Sequence, residues 1–382
     1  MGTRKGEARF PLWWHTGANA WCKKVRGRFH YFGPDKDKAL KRYIEVKDDL
    51  EAGRDPRPDR EAVTVRDLVN AFLSAKRDRV DSGELTSRTW AEYHRACEQV
   101  VTTFGRERGV TDLRPTDFGK LRAAAAKRLG PVALHKFITL VKSLFAFGYN
   151  ADLIVAPVKY GDQFDKPPKR TMRLEKARKN LRLIGAADLW KLIDGADVQL
   201  RAMLLLGING GFGQKDCADL QRRSLAGRPG WIDAPRGKTG IARRVPLWPE
   251  TVAALAELEK VRPAPKDEVD SDCVFLTMFG NRWCRYVDRG GEKRGVALDA
   301  TALEFRKLAK RVGVKVPGGP YVVRHTFRTV ADAVKDQPAI DLIMGHAEHG
   351  VSQYYRERIE DARLEAVVNH VRTWLIAGKP VR

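Results

Sequence analysis

The sequence predicts a mainly α protein with small β elements, and three observations carry that reading. Apolar residues recur at helical spacing in three stretches between 62 and 150. Segments of β character are short and punctuated by glycine: WCKKVRGRFHYFG near the N-terminus and WIDAPRGKTGIARRVPLW further on. At 382 residues the chain is long enough for two or three domains, each with its own core.

Residues 10–55 read as a small strand-rich module. Val25, Phe29, Tyr31 and Phe32 are β-formers, Gly27 sits where a hairpin turns, and a charged helix runs from Lys36 to Leu50. Residues 62–150 read as a helical bundle. Thr64 and Asp67 form a capping box ahead of Val65, Leu68, Val69 and Phe72. Trp90, Tyr93, Cys97, Val100, Val101 and Phe104 make a second stripe, and Leu134, Phe137, Ile138, Val141 and Phe145 a third. Residues 151–182 read as a linker. Its part DKPPKRTMRLEKARKNLR carries eight Lys or Arg against two acids, and its two prolines disfavour a continuous helix. Residues 183–378 are mixed: apolar helical patterns at 186–206 and 249–260 flank a hairpin turning around Gly237 and Gly240.

A formal net charge of +23 argues for a polyanionic partner, since each neutralised phosphate releases counterions. Nucleic acid is the first candidate and an anionic membrane surface the second. No apolar run is expected to reach the ~18 residues of a spanning helix, and no secretory signal opens the chain. Cys22, Cys97, Cys217, Cys273 and Cys284 are scattered without CxxC spacing, which reads as reduced, packed thiols in a cytoplasmic protein with no metal site.

The chemistry concentrates near the C-terminus. Arg324-His325-Thr326 is followed by Gly345-His346 and, nine residues past that histidine, by Tyr355. A guanidinium clamps phosphate oxygens bidentately, an imidazole donates a hydrogen bond or moves a proton, and a phenol can attack phosphorus. The segments YVVRHTFRTV and LIMGHAEHGVSQYYRERI resemble the signature of the tyrosine recombinase (phage integrase) family. The resemblance covers roughly 62–378. It implies an arm-type DNA-binding-like module at 10–55, a core-binding domain at 62–150, a basic linker at 151–182 and a catalytic domain of the tyrosine recombinase type at 183–378.

That resemblance assigns roles. Tyr355 is the nucleophile, with adjacent Tyr354 as the control position. Arg324 is the anion clamp, and His346 bonds the same phosphate. Lys238, in GKTG, is the general acid, and Arg243-Arg244-Val245-Pro246-Leu247 forms the return strand. Arg88, Lys136 and Lys142, on polar helix faces, and Arg243 are the expected DNA contacts. The reaction needs neither metal nor ATP, because the phosphotyrosyl link conserves the bond energy. The partners are double-stranded DNA and further copies of the chain, a tetramer on DNA, with the protein cytoplasmic and nucleoid-associated when bound. Leu364, Val367, Val368, Val371 and Leu375 form a C-terminal stripe that docks on a neighbour or packs within its own chain.

Two positions depart from the family pattern. Where the family has glycine-x-arginine-x-x-glutamate, this chain has Gly211-Phe212-Gly213-Gln214-Lys215-Asp216, so Gly213 stands at the first-arginine position. Tyr321 replaces a histidine three residues before Arg324. Losing one preorganised donor commonly costs ~3–4 kcal/mol. Either a neighbour such as Lys215 substitutes, or the site is slow, or it does not cut; in a crippled site, arginine restored at Gly213 is expected to raise activity. The alternatives are an inactive relative that binds DNA, a type IB topoisomerase and a helical transcription regulator.

Overall fold

The computed structural model describes residues 10–53, 63–178, 183–237, 239–287, 295–347 and 358–380. The chain forms two compact units that divide between Met172 and Arg173.

The first unit opens with an antiparallel meander of β1 (Trp13–His15), β2 (Ala20–Val25) and β3 (Arg28–Tyr31). Arg26 and Gly27, with φ of 48° and 86°, form its second turn. Two left-handed residues give a turn whose twist matches the paired strands. Helix α1 (Lys36–Ala52) is started by the Asp35 carboxylate, which accepts from the Lys38 amide at 2.9 Å. Its Ala39, Tyr43 and Leu50 close a small core with Leu12 and Phe32.

The bundle follows as α2 (Val65–Asp81), α3 (Ser87–Phe104), α4 (Pro115–Ala126) and α5 (Pro131–Asn150). The Thr64–Asp67 capping box starts α2, and the three apolar stripes face one another across one core. Helix α5 has the length and hydropathy of a membrane span, which corrects the expectation that no apolar run reaches that size. Its Leu134, Phe137, Ile138, Val141, Leu144 and Phe145 are nevertheless buried within the bundle. Ile154 and Phe164, which lie in the basic stretch, belong to this core too, and Phe164 packs edge-on against Phe118. Next comes α6 (Lys169–Arg178), which starts just past Pro167 and Pro168 and buries no residue.

The second unit is built around a helix whose residues from Ala202 to Gly210 are all buried. Helices α7 (Ala186–Gly195) and α8 (Val198–Gly210) are separated by Asp197, whose side chain accepts from the Leu200 amide at 2.8 Å. The apolar pattern over 186–206 is thus two helices. Next come α9 (Gln214–Ala218), α10 (Arg223–Ala226) and the hairpin β4 (Trp231–Asp233) and β5 (Arg244–Pro246). Buried Asn209 of α8 fixes that hairpin: it donates to Pro246 O at 3.0 Å and accepts from the Trp248 amide at 2.8 Å. The remainder comprises α11 (Pro249–Val261), the hairpin β6 (Cys284–Val287) and β7 (Val296–Asp299), α12 (Ala300–Arg311), α13 (Tyr321–Ala331), α14 (Gln337–Met344) and α15 (Asp361–Ala377). The C-terminal stripe of α15 is buried in its own unit, and Trp248 donates from its indole to Val368 O at 3.0 Å. Of the two fates open to that stripe, the structure shows intramolecular packing. All five cysteines are free and buried.

Candidate active site

The site begins where α8 stops. Gly211 takes φ 63°, and a Cβ there would lie 2.8 Å from the ring of Phe327. Only glycine serves a left-handed position packed that closely. The chain then turns through Phe212 and Gly213 into α9, where the Asp216 carboxylate accepts from the Gly213 amide at 2.8 Å. This turn aims the Gly211 carbonyl and the Asp216 carboxylate at the same place.

Helix α13 brings Arg324 there. Its Nη1 donates to Gly211 O and lies 3.5 Å from Asp216 Oδ2, and its Nη2 donates to Met344 O at 3.1 Å. Met344 ends α14, so its carbonyl has no partner inside the helix and favours a cation. The next residue, Gly345, takes φ 61°, and His346 follows with Nε2 2.6 Å from Arg324 Nη2. Arginine has no acceptor, so His346 Nε2 accepts and the ring proton sits on Nδ1, which faces Asp341 Oδ1 at 3.6 Å. Burial lowers the His346 pKa, the Arg324 and Arg236 charges lower it further, and Asp341 opposes them. The imidazole is therefore a neutral acceptor at neutral pH.

The β4–β5 hairpin supplies two more guanidiniums. Arg236 Nε donates to Asp216 Oδ1 at 2.9 Å, and Arg243 Nη2 lies 3.6 Å from Oδ2 while donating to Met344 O at 3.0 Å. Three buried cations thus share one buried anion. Burial opposes charge on Asp216, but Arg243, Arg236 and the Gly213 amide outweigh it and hold the carboxyl below its ordinary range. Burial pushes Arg243 down to about 10. Burial and the Arg236 charge likewise lower Arg324. This is a pocket with positive charge in excess, suited to a further anion.

The structure brings Arg324, His346 and Tyr321 together. Tyr321 opens α13 half exposed, and its ring packs against His325 and lies 6.0 Å from the Arg324 guanidinium. Lys238, Tyr354 and Tyr355 lie outside the described residues. Arg243, expected as a DNA contact, is instead 3% exposed and stacked on Phe212. Arg88, Lys136 and Lys142 belong to the other unit; Lys136 pairs with Glu92 at 2.5 Å and Lys142 with Asp165 at 3.5 Å, while Arg88 is exposed. Lys215, the neighbour named as a substitute for the missing arginine, pairs with Asp219 at 2.8 Å and is largely exposed. Arg236 was not singled out from the sequence. Its place two residues before Lys238, in a chain with glycine at 213, was the available signal.

The fold matches structures already known. A lambda integrase tetramer bound to a Holliday junction matches at TM-score 0.53 and 12% identity, over 93% of this chain and 99% of that one. The Tn1549 transposon integrase in complex with a circular intermediate DNA matches at TM-score 0.55 and 16% identity, over 80% and 99%. This chain has the fold of lambda integrase. A lambda integrase dimer bound to a COC′ core site also matches, at TM-score 0.53 and 12% identity over 94% and 100%. No protein-family model matches the sequence, and no curated protein does. A Cβ at Gly213 would lie 3.0 Å from the Tyr321 ring and 3.2 Å from Asp216 Oδ2.

Proposed function

We propose that the protein is a site-specific DNA strand-exchange enzyme that cuts and rejoins duplex DNA through a 3′-phosphotyrosyl bond at Tyr355. The observation that carries this is the buried Arg324, whose guanidinium is held by two main-chain carbonyls beside neutral His346, in a pocket with excess positive charge. In this reading Arg324 binds the non-bridging oxygens of the scissile phosphate and offsets the charge of the pentacoordinate transition state, and His346 donates to the same phosphate once its Nε2, released from Arg324, carries a proton. The Tyr355 phenolic oxygen gives its proton to a base, the role open to neutral His346, and bonds to phosphorus as the bond to the 5′ oxygen breaks. Lys238 protonates that leaving oxygen, and Tyr321 adds a hydrogen-bond donor at the rim. A 5′ hydroxyl from a partner strand then reverses the step. The reaction calls for no metal or ATP; it needs double-stranded DNA and several protomers, a tetramer, for synapsis. Integration or excision of a mobile element in the cytoplasm is the setting this implies.

The full chain, incubated with a nicked, end-labelled duplex carrying its flanking genomic sequence, is expected to form a denaturation-resistant adduct. Tyr355→Phe abolishes the adduct, and Arg324→Ala abolishes it while non-specific DNA binding persists. Equal loss of binding and adduct in Arg324→Ala contradicts the assigned role. One observation favours a second reading, a DNA-binding relative without cleavage: Gly213 carries no charge, and Tyr321 stands against the place where a side chain would begin. DNA binding without adduct on several candidate sites selects that reading.

A further inference from the structure

The pocket holds a guanidinium that the family pattern does not provide. We propose that Arg236, carried by the β4–β5 hairpin, is the second phosphate-binding arginine of this site and does the work that Gly213 cannot. This rests on the phosphoryl-transfer reading above.

Four observations support it. First, Asp216, three residues after Gly213, gives its Oδ1 to Arg236 Nε at 2.9 Å and its Oδ2 to the side of Arg324 at 3.5 Å. One carboxylate therefore orients both guanidiniums. Second, Arg236 bonds Asp216 through Nε alone, and among the described residues its two Nη groups have no hydrogen-bond partner. Those are the nitrogens that a guanidinium fork offers to an oxyanion. Third, Arg236 borders an open cleft of about 610 Å³, lined also by Asp216, Asp219, Arg243 and Arg282, so its side chain is reached from solvent. Fourth, the aliphatic stem of Arg236 lies across Gly345: a Cβ there would meet Arg236 Cβ at 2.8 Å and Cδ at 3.0 Å. The glycine before His346 thus has a second task besides its left-handed turn, which is to admit the Arg236 stem. Thr239 Oγ1 donates to Gly345 O at 3.1 Å and clips the hairpin to the same turn.

Lysine in place of Arg236 would keep the charge and much of the stem but lose the fork, whereas glutamine would lose the charge. Arg243 differs from Arg236 in that its guanidinium stacks on Phe212 and already donates to Met344 O.

The test has two arms on the full-length chain. In the first, inorganic phosphate is titrated while Tm is followed. The wild type is expected to be stabilised, Arg236→Gln to lose that shift, and Arg236→Lys to keep part of it. In the second, single-turnover cleavage of the nicked duplex is expected to fall ~10²–10³-fold in Arg236→Gln, with DNA binding changed far less. If Arg236→Gln loses structure, as followed by circular dichroism, Arg236→Lys decides: phosphate response and cleavage both equal to wild type overturn the proposal. An absent phosphate shift in the wild type, or an equal shift in Arg236→Gln, overturns it too. A phosphate shift that depends on Arg236, in a wild type that forms no Tyr355 adduct, retains the clamp and removes the strand-exchange reading.

Discussion

Replacing Asp216 with asparagine removes the carboxylate that three buried guanidiniums share, and the structure indicates how much that costs. The Asp216 side chain is 7% exposed, and breaking a buried ion pair from one side typically costs ~3–5 kcal/mol. The lower end applies here. Asparagine still accepts from the Gly213 amide, Arg324 keeps the Gly211 and Met344 carbonyls, and Arg243 keeps Met344 O. Arg236 alone is left without its acceptor. For a unit of this size, ~3 kcal/mol corresponds to a fall in Tm of roughly 6–12 °C. Inorganic phosphate is expected to restore more stability to Asp216→Asn than it adds to the wild type, because the ion takes the place of the lost charge. Thermal unfolding of both proteins across a phosphate series measures this. A variant that unfolds within ~1 kcal/mol of the wild type, or that gains no more from phosphate, refutes the picture of one anion holding three cations. The pH dependence has a definite sign as well. The folded carboxyl titrates below its unfolded value of about 3.9, so its contribution is complete above that pH and is lost only as pH falls through the lower folded value. The gap between the two proteins therefore persists at neutral pH and closes only in strong acid.

Two further predictions concern its neighbours. Arginine restored at Gly213 is expected to destabilise by ~1–3 kcal/mol through overpacking, because its Cβ crowds Tyr321 and its charge competes with Arg236 for Asp216; in Tyr321→Ala the cost falls, with a coupling of ~0.5–3 kcal/mol in a double-mutant cycle of urea unfolding. Additive effects mean that Tyr321 is not what occupies the space. For His346, whose neutral form is favoured by burial and by Arg324 and Arg236 against Asp341, the unfolded chain takes up a proton first as pH drops. Its contribution is complete above the unfolded pKa of about 6.5 and fades below it. The difference in Tm between wild type and His346→Gln is expected to shrink from about pH 8 to about pH 5.5, and a constant difference shows that the imidazole is not the neutral acceptor of Arg324.

Much of this was legible in the sequence because periodic burial leaves a periodic trace. Stripes such as Leu134, Phe137, Ile138 and Val141 mark one face of α5, and the Thr64–Asp67 box marks the start of α2. The expectation that Arg324 and His346 serve one phosphate came from the resemblance, and in the fold the two side chains lie side by side. Isolated contacts were not legible. Ile154 and Phe164 lie in a stretch that reads as basic linker, yet each is a single apolar anchor on the bundle. Strands β1, β6 and β7, of three or four residues, are too short for alternation to stand out. Arg243 and Arg236 look like two more arginines in a basic hairpin. Their burial follows from Asp216 and Met344, which are distant in sequence, and no local pattern records it.

The separations along the chain around Asp216 also bear on how this protein is made. Arg236 lies 20 residues beyond Asp216, whereas Arg324 reaches its Gly211 carbonyl from 113 residues downstream. Synthesis proceeds from the N-terminus, and a short loop closes at less entropic cost than a long one. Arg236 is thus available to the carboxylate while α13 is still untranslated, and Arg324 is the later partner to arrive.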